Sequence, residues 1–579
     1  MDRTGKIKFV VFLVLAIGMM GASLWYAYGT ASRADLVDYV GDEVWYVSAS
    51  RNVLHRLGFQ LHYVHNGYEG VNVIFKDNEA KLRYQYVVEG AMLKFKGNFS
   101  AKVNYQKFPA VYVEIPQKNL DDFLAYLEEK IPQDNFYVVT GFRYPDAEGI
   151  QNYLNTEHPF LGKDFIMLAM ILGGDRPIAW RIPGIILYGL LQLLVLLTAY
   201  RITRSYIASL IALFFAAIDP LLQATAVTAM LDIYVAFFVA LFVFLLVYSR
   251  DMGAGFSAGL AGASKVSGAF GYPIFFLKLV RDLALSVDWK KLARIIIVTA
   301  LIGGTIVAYA EYRAAYWDKS YFLVLLVLTA VALAEFLYSS RDAVRDLAYL
   351  VTVAVFLPLL GFLIPEIPII KVQGLDPWLR DFLGSFKWHL SYKGENPWTS
   401  PFWEWFYNAN PFHFHFNPDI VASTNPTLML FTVVAVFAVP YVWRRRGEGA
   451  LIPFGVFWST VLLFALQYAM GGKTQFSFYA TALVPEATVI MGVFLYDLVK
   501  WEAFEESLLT YLLWLGRVLK VKRFVEYAEN NLRKSQKILG GVHVPSLPLP
   551  PTVRAREGVR KPKKTSIRTR EGGLPRKSG

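Results

Sequence analysis

The sequence predicts a polytopic α-helical membrane protein of about twelve transmembrane helices, with a small extracytosolic α+β insertion in the first outer loop. Three observations predict it. Of 579 residues 55% are hydrophobic, and the mean hydropathy of +0.37 lies outside the range usual for soluble chains. Apolar runs recur from residue 159 to 500, separated by short basic loops. Between about 52 and 156 that hydrophobicity lapses into strand-like and helix-like patterns.

The net charge of +12 would suit nucleic acid if it formed a patch. Instead Lys and Arg collect at the ends of apolar runs and in the C-terminal tail, so the expected surface is a membrane and not a nucleic acid. The chain has no cysteine, which excludes disulfides, thiolate zinc sites and Cys nucleophiles, and fits a thermophilic or archaeal source.

In order, Arg3, Lys6 and Lys8 precede the apolar run Phe9–Tyr28. The run is long for a signal-peptide core and lacks a small-x-small cleavage site, so it reads as a first span with a cytosolic N-terminus. Asp42 and Glu43 follow on the outside, closing a segment 1–55. In the insertion, 56–156, the stretches Val71–Phe75, Leu82–Val88, Lys102–Asn104 and Ala110–Ile115 read as strands. Asp121–Lys130 reads as a short helix with an acidic first turn. The sequon Asn98-Phe99-Ser100 is compatible with an outer location.

The core, 157–500, holds the remaining spans: Ile178–Tyr200, Ser205–Ile218, Ile233–Tyr248, Gly255–Val266, Gly268–Val280 and Ile295–Tyr312, then Tyr321–Tyr338, Ala348–Ile364, Leu428–Trp443, Leu451–Met470 and Tyr479–Val499. Gly255–Val266 is shorter than the ~17–25 residues a crossing needs and reads as half of a broken pair. An outer loop, 365–426, is dense in aromatic residues and fits short helices at the membrane surface. Residues 501–579 form a basic cytosolic tail, helical to about 539 and disordered from 540. Arg201, Arg250, Arg294, Arg341 and Arg444 all fall in loops assigned to the cytosol, as the positive-inside rule requires.

Charged residues at the edges of spans are costly to insert and ask for a reason. On the outer face stand Asp42, Glu43, Glu157, His158, Lys163, Arg181, Asp219, Asp232 and Lys265. Carboxylates can act as general bases, and fixed cations can hold an anionic leaving group. Buried ion pairs between helices would use the same residues, and spacing alone does not separate the two readings.

The residues themselves carry a resemblance. Asp42-Glu43, His158-Pro159-Phe160-Leu161-Gly162-Lys163, Trp180-Arg181-Ile182-Pro183, Met230-Leu231-Asp232, Ser264-Lys265-Val266-Ser267-Gly268 and Phe478-Tyr479 with Pro485 resemble, in order, the dolichyl-phosphate-mannose-dependent protein O-mannosyltransferases. These belong to the GT-C type of multispan enzymes that use polyprenyl-phosphate sugars. The resemblance covers roughly 1–55 and 155–500. It implies a GT-C-like fold and inverting transfer of a sugar, mannose in the family, from a polyprenyl or dolichyl phosphate to a hydroxyl acceptor outside the membrane. By the resemblance Asp42 is the base and Glu43 supports it, paired with Arg181. Lys265, Arg181 and Lys163 hold the donor phosphate, and His158, Glu157 and Asp232 support the site. No cofactor beyond the donor is implied, a divalent metal is left open, and so is the oligomeric state. The membrane expected is the plasma membrane of an archaeon or other prokaryote, not the endoplasmic reticulum.

Three departures bear on this. Phe160 stands where the family has a second proline, the insertion is larger, and the second long outer loop carries no β-trefoil lobe. The acceptor is therefore open among protein Ser/Thr, glycan and lipid. An oligosaccharyltransferase would need a Trp-Trp-Asp motif, which Trp403-Glu404-Trp405 is not. A transporter or assembly factor is the alternative. It predicts charges at the bilayer midplane and internal repeats, and neither is evident.

Overall fold

The computed structural model describes residues 3–391, 396–499 and 501–538, so the basic stretch expected to be disordered lies outside the described residues. Helix α1 (Arg3–Ala31) opens the chain and α2 (Glu43–Arg56) follows a short irregular link. Between α2 and the next membrane-embedded helix lies the α+β unit: β1 (Val64–His65), β2 (Tyr68–Phe75), α3 (Asn78–Phe95), β3 (Val103–Asn104), β4 (Ala110–Pro116), α4 (Leu120–Lys130) and β5 (Phe136–Thr140). The strands form one antiparallel sheet in the order β1-β2-β4-β3, with β5 also pairing β2. Val71, Val73 and Phe75 of β2 and Val111, Val113 and Ile115 of β4 bury one sheet face against Val88, Ala91 and Met92 of α3 and Phe123 and Leu127 of α4.

One expected strand is a helix. Leu82–Val88 lies inside α3, whose N-cap Asp77 accepts a hydrogen bond from the Ala80 amide. Ala80, Val87, Val88, Ala91 and Met92 are buried at helical spacing, so a Val-rich segment follows the cap and the 3.6-residue period rather than its β-propensity. Strand β5 was not visible as a strand in the sequence.

The unit is fastened to the helical core by a buried network. Asp175 accepts from Arg51 Nε at 2.6 Å and Nη2 at 3.1 Å, from Trp180 Nε1 at 2.9 Å and from the Phe142 amide at 3.0 Å. Gly141, at φ +128°, admits this approach, because a Cβ there would lie 2.5 Å from the Asp175 carboxylate.

The core continues with α5 (Leu161–Gly173), α6 (Pro177–Thr203), α7 (Tyr206–Ile218), α8 (Pro220–Ala226), α9 (Asp232–Val247), α10 (Asp251–Ser264) and α11 (Tyr272–Ala284). Then come α12 (Trp289–Arg313), α13 (Lys319–Ser339), α14 (Val344–Val351) and α15 (Leu357–Leu363). The aromatic loop holds α16 (Ile367–Gln373), α17 (Leu375–Ser391) and a hairpin of β6 (Phe412–Phe416) and β7 (Asp419–Ala422). The hairpin was not expected. Helices α18 (Pro426–Ala435), α19 (Val439–Arg446), α20 (Ile452–Ala469), α21 (Val484–Leu498), α22 (Trp501–Val518) and α23 (Lys522–Ile538) complete the chain.

Among the described residues eight helical segments are long and apolar enough to cross a membrane, or nine if α7 and α8, bent by 55°, count as one. The twelve-span expectation counted α9, α10 and α11 as well. These have 16, 14 and 13 residues. At 1.5 Å per residue they fall short of a ~30 Å core. Within the apolar stretch of Ser477–Leu498 89% is buried and within that of Pro177–Thr203 61%, against 6% within that of Lys319–Ser339. The bundle therefore has a protein-covered centre and a lipid-facing rim.

Candidate active site

Asp42 and Glu43 sit at the start of α2 and meet opposite environments. Gly41, at φ +56°, makes the turn before them, and its amide donates to the Phe414 carbonyl of β6 at 3.0 Å. Asp42 holds the N-cap position, yet its side chain makes no capping bond. It lies 3.3 Å from the Tyr46 hydroxyl and faces a cavity. An aspartate released from capping is available for chemistry.

Glu43 turns inward and is fully buried. It accepts from Arg181 Nε at 2.8 Å and Nη2 at 2.7 Å, and from the Val40 and Ala229 amides, both at 2.8 Å. The remaining Arg181 donors reach the carbonyls of Ala31, Leu36 and Asp38. All five guanidinium donors are thus engaged, and the pair clamps α1, α2 and α6 together. The sequence paired these two residues, and the structure brings them together.

Lys265 follows α10 in extended backbone. Its ammonium lies 3.0 and 3.3 Å from the two Asp232 oxygens and above the Phe478 and Tyr479 rings. Asp42 and Lys265 line one cavity of about 430 Å3, together with Tyr46, Glu157, His158 and Tyr479. Desolvation raises the Asp42 carboxyl above its usual range; the Lys265 ammonium opposes this and Asp232 reinforces it.

Two more cavities meet the first at Glu157 and His158. One, of about 260 Å3, also reaches Lys265 and Tyr479 and is walled by Phe270, Leu463, Phe464 and Met470, so it is mainly apolar. The other, of about 700 Å3, is lined by Thr156, Arg380, Asp381 and Ser385 and is the more polar of the two. A charged centre flanked by an apolar and a polar lobe can hold an amphiphile and a polar partner at once.

Lys163 and Arg181 line none of these three cavities. Lys163 is fully buried, and its ammonium binds the carbonyls of Asn155 and His158, at 2.5 and 2.8 Å, and Asn155 Oδ1 at 3.0 Å. Expected to hold a donor phosphate, these two cations meet protein acceptors in the structure. Of the three candidates Lys265 is the one that lines these cavities. Asp219 caps α8 through the Leu221 and Leu222 amides, a structural task. Among the described residues no group of three or more His, Asp or Glu side chains could hold a metal ion.

Sequence reasoning missed Tyr153 and Asn155. The Tyr153 hydroxyl donates to Glu157 Oε1, and Asn155 Nδ2 donates to the same oxygen at 3.0 Å. The alternation Tyr153-x-Asn155-x-Glu157 ahead of His-Pro was the available signal.

No family model matches the chain. The chain is 23% identical over 385 residues, 58% of its length and 69% of the relative's, to a polyprenol-phosphate-mannose–protein mannosyltransferase of Corynebacterium glutamicum. Among solved structures it is similar to ArnT from Cupriavidus metallidurans bound to undecaprenyl phosphate, with 13% identity and a TM-score of 0.37 over 92% of this chain and 70% of that one. It is also similar to the apo Archaeoglobus fulgidus oligosaccharyltransferase, with 15% identity and a TM-score of 0.36 over 88% of this chain. The chain spans 54% of that oligosaccharyltransferase. The superpositions are loose.

Proposed function

We propose that the protein transfers a sugar, mannose by its sequence likeness, from a polyprenyl-phosphate donor to a hydroxyl acceptor, with inversion, at the extracytosolic face. The observation that carries this reading is the shared cavity of Asp42 and Lys265 beside an apolar lobe. The Asp42 carboxylate takes the proton of the acceptor hydroxyl as its oxygen bonds to the anomeric carbon. The bond from that carbon to the phosphate oxygen breaks on the opposite face, and the electron pair leaves with the polyprenyl phosphate. Lys265 faces the growing negative charge, and its bond to Asp232 keeps the ammonium in place. The first isoprene units lie in the apolar lobe. Glu43 and Arg181 touch neither substrate and fix the turn that carries Asp42.

In this reading both termini are cytosolic, and the α+β unit stands outside the plasma membrane of a prokaryote. The transporter reading has less support, because no internal repeat is evident in the sequence. Purified protein in lipid, given labelled polyprenyl-phosphate sugars and peptide, glycan or lipid acceptors, should yield labelled acceptor. Transfer from nucleotide sugars, with none from any polyprenyl-phosphate sugar, would contradict it.

A further inference from the structure

The shared wall of the three cavities is the turn bearing Glu157 and His158, so whatever fixes that turn sets how the lobes meet. Glu366, in the link between α15 and α16, is fully buried. One of its carboxylate oxygens accepts from the Phe160 amide at 2.8 Å, two residues beyond His158. The other accepts from Trp378 Nε1 of α17 at 3.0 Å. Each oxygen thus meets an N–H donor from a different element, and one carboxyl group serves as acceptor to both.

From Trp378 an aromatic ladder at helical spacing runs along α17 to the cavities. Trp378 stacks on Phe382 at 5.7 Å, and Phe382 meets Phe386 edge-on at 5.3 Å. Phe386 lines the apolar lobe, and Ser385 beside it lines both the apolar and the polar lobes. A second tie joins the same two elements, from Thr156 Oγ1 to Asp381 Oδ2 at 2.9 Å. Lys163 holds the turn from behind, through the Asn155 and His158 carbonyls.

We propose that Glu366 is a positioning residue, which through its bonds to the Phe160 amide and the Trp378 indole seats the Glu157–His158 turn and the α17 wall on one carboxylate. It touches no substrate. Its effect on turnover rests on the transferase reading above; its effect on the two elements does not.

The test uses full-length protein in detergent. Glu366→Gln presents an NH2 group to a donor that needs an acceptor, so one tie must break. Amide exchange should quicken at least tenfold in both 156–164 and 375–388 and stay unchanged in 43–56. With donor and acceptor present, kcat should fall at least tenfold while the donor KM changes less than threefold. Trp378→Phe removes one donor and keeps the helix. In that background the Gln substitution should cost less than threefold in kcat, a coupling that general destabilisation would not produce. Unchanged exchange in either segment, or equal costs of Glu366→Gln in the two backgrounds, would overturn the proposal. If wild-type protein transferred no sugar, the transferase reading would fall and the exchange data would still decide the role of Glu366 in seating both walls.

Discussion

Asp42 and Glu43 are adjacent in sequence and unlike in chemistry. Glu43 has four hydrogen bonds from buried donors, while Asp42 has one long contact to Tyr46 and a cavity before it. Because burial raises the Asp42 carboxyl, its basic form is lost as pH falls through a value above the ordinary ~3.9 of aspartate. The acid limb of kcat/KM should therefore have its midpoint above ~4, and a limb at or below that value would show an unperturbed base. Arg181 offers a second check. Lysine keeps the charge but has three donors for the work of five, so Arg181→Lys should destabilise the protein by about 3 kcal/mol. A melting temperature in detergent equal to wild type would show that charge alone suffices. The Glu43–Arg181 pairing was legible in the sequence. The true task of Lys163 was not, because sequence places a cation near a span without showing which carbonyls surround it.

At the scale of elements, legibility followed the length of the pattern. The long apolar runs and β2, β3, β4 and α4 were readable where expected. The segment Leu82–Val88 was misread because the Asp77 cap and the five buried apolar positions of α3 outweigh local β-propensity. The β6–β7 hairpin was hidden because a register shift between His413 and His415 breaks the alternation of an aromatic-rich stretch, although it carries the acceptor for the Gly41 amide. Gly41→Ala tests that seat. The φ of +56° and the 3.1 Å approach of Phe414 should cost about 1–2 kcal/mol and lower kcat by moving Asp42. Normal kcat in this variant would show that the hairpin does not position the base.

Across the whole molecule, buried ion pairs join the parts around the site. Arg51 and Asp175 seat the α+β unit, Glu43 and Arg181 join α1, α2 and α6, and Lys265 and Asp232 bring α9 to the cavity. These are buried ion pairs, which specify geometry better than they stabilise. The family resemblance was legible in the ordered motifs. The convergence of three lobes on Glu157 and His158 was not, since it depends on α17 folding back over that turn. The central claim is that the free carboxylate of Asp42, and not the clamped one of Glu43, is the base. Asp42→Asn keeps size and removes basicity, so its kcat for transfer from a polyprenyl-phosphate sugar should fall by about 100-fold or more, with the melting temperature close to wild type. Turnover at the wild-type rate in that variant would contradict the account.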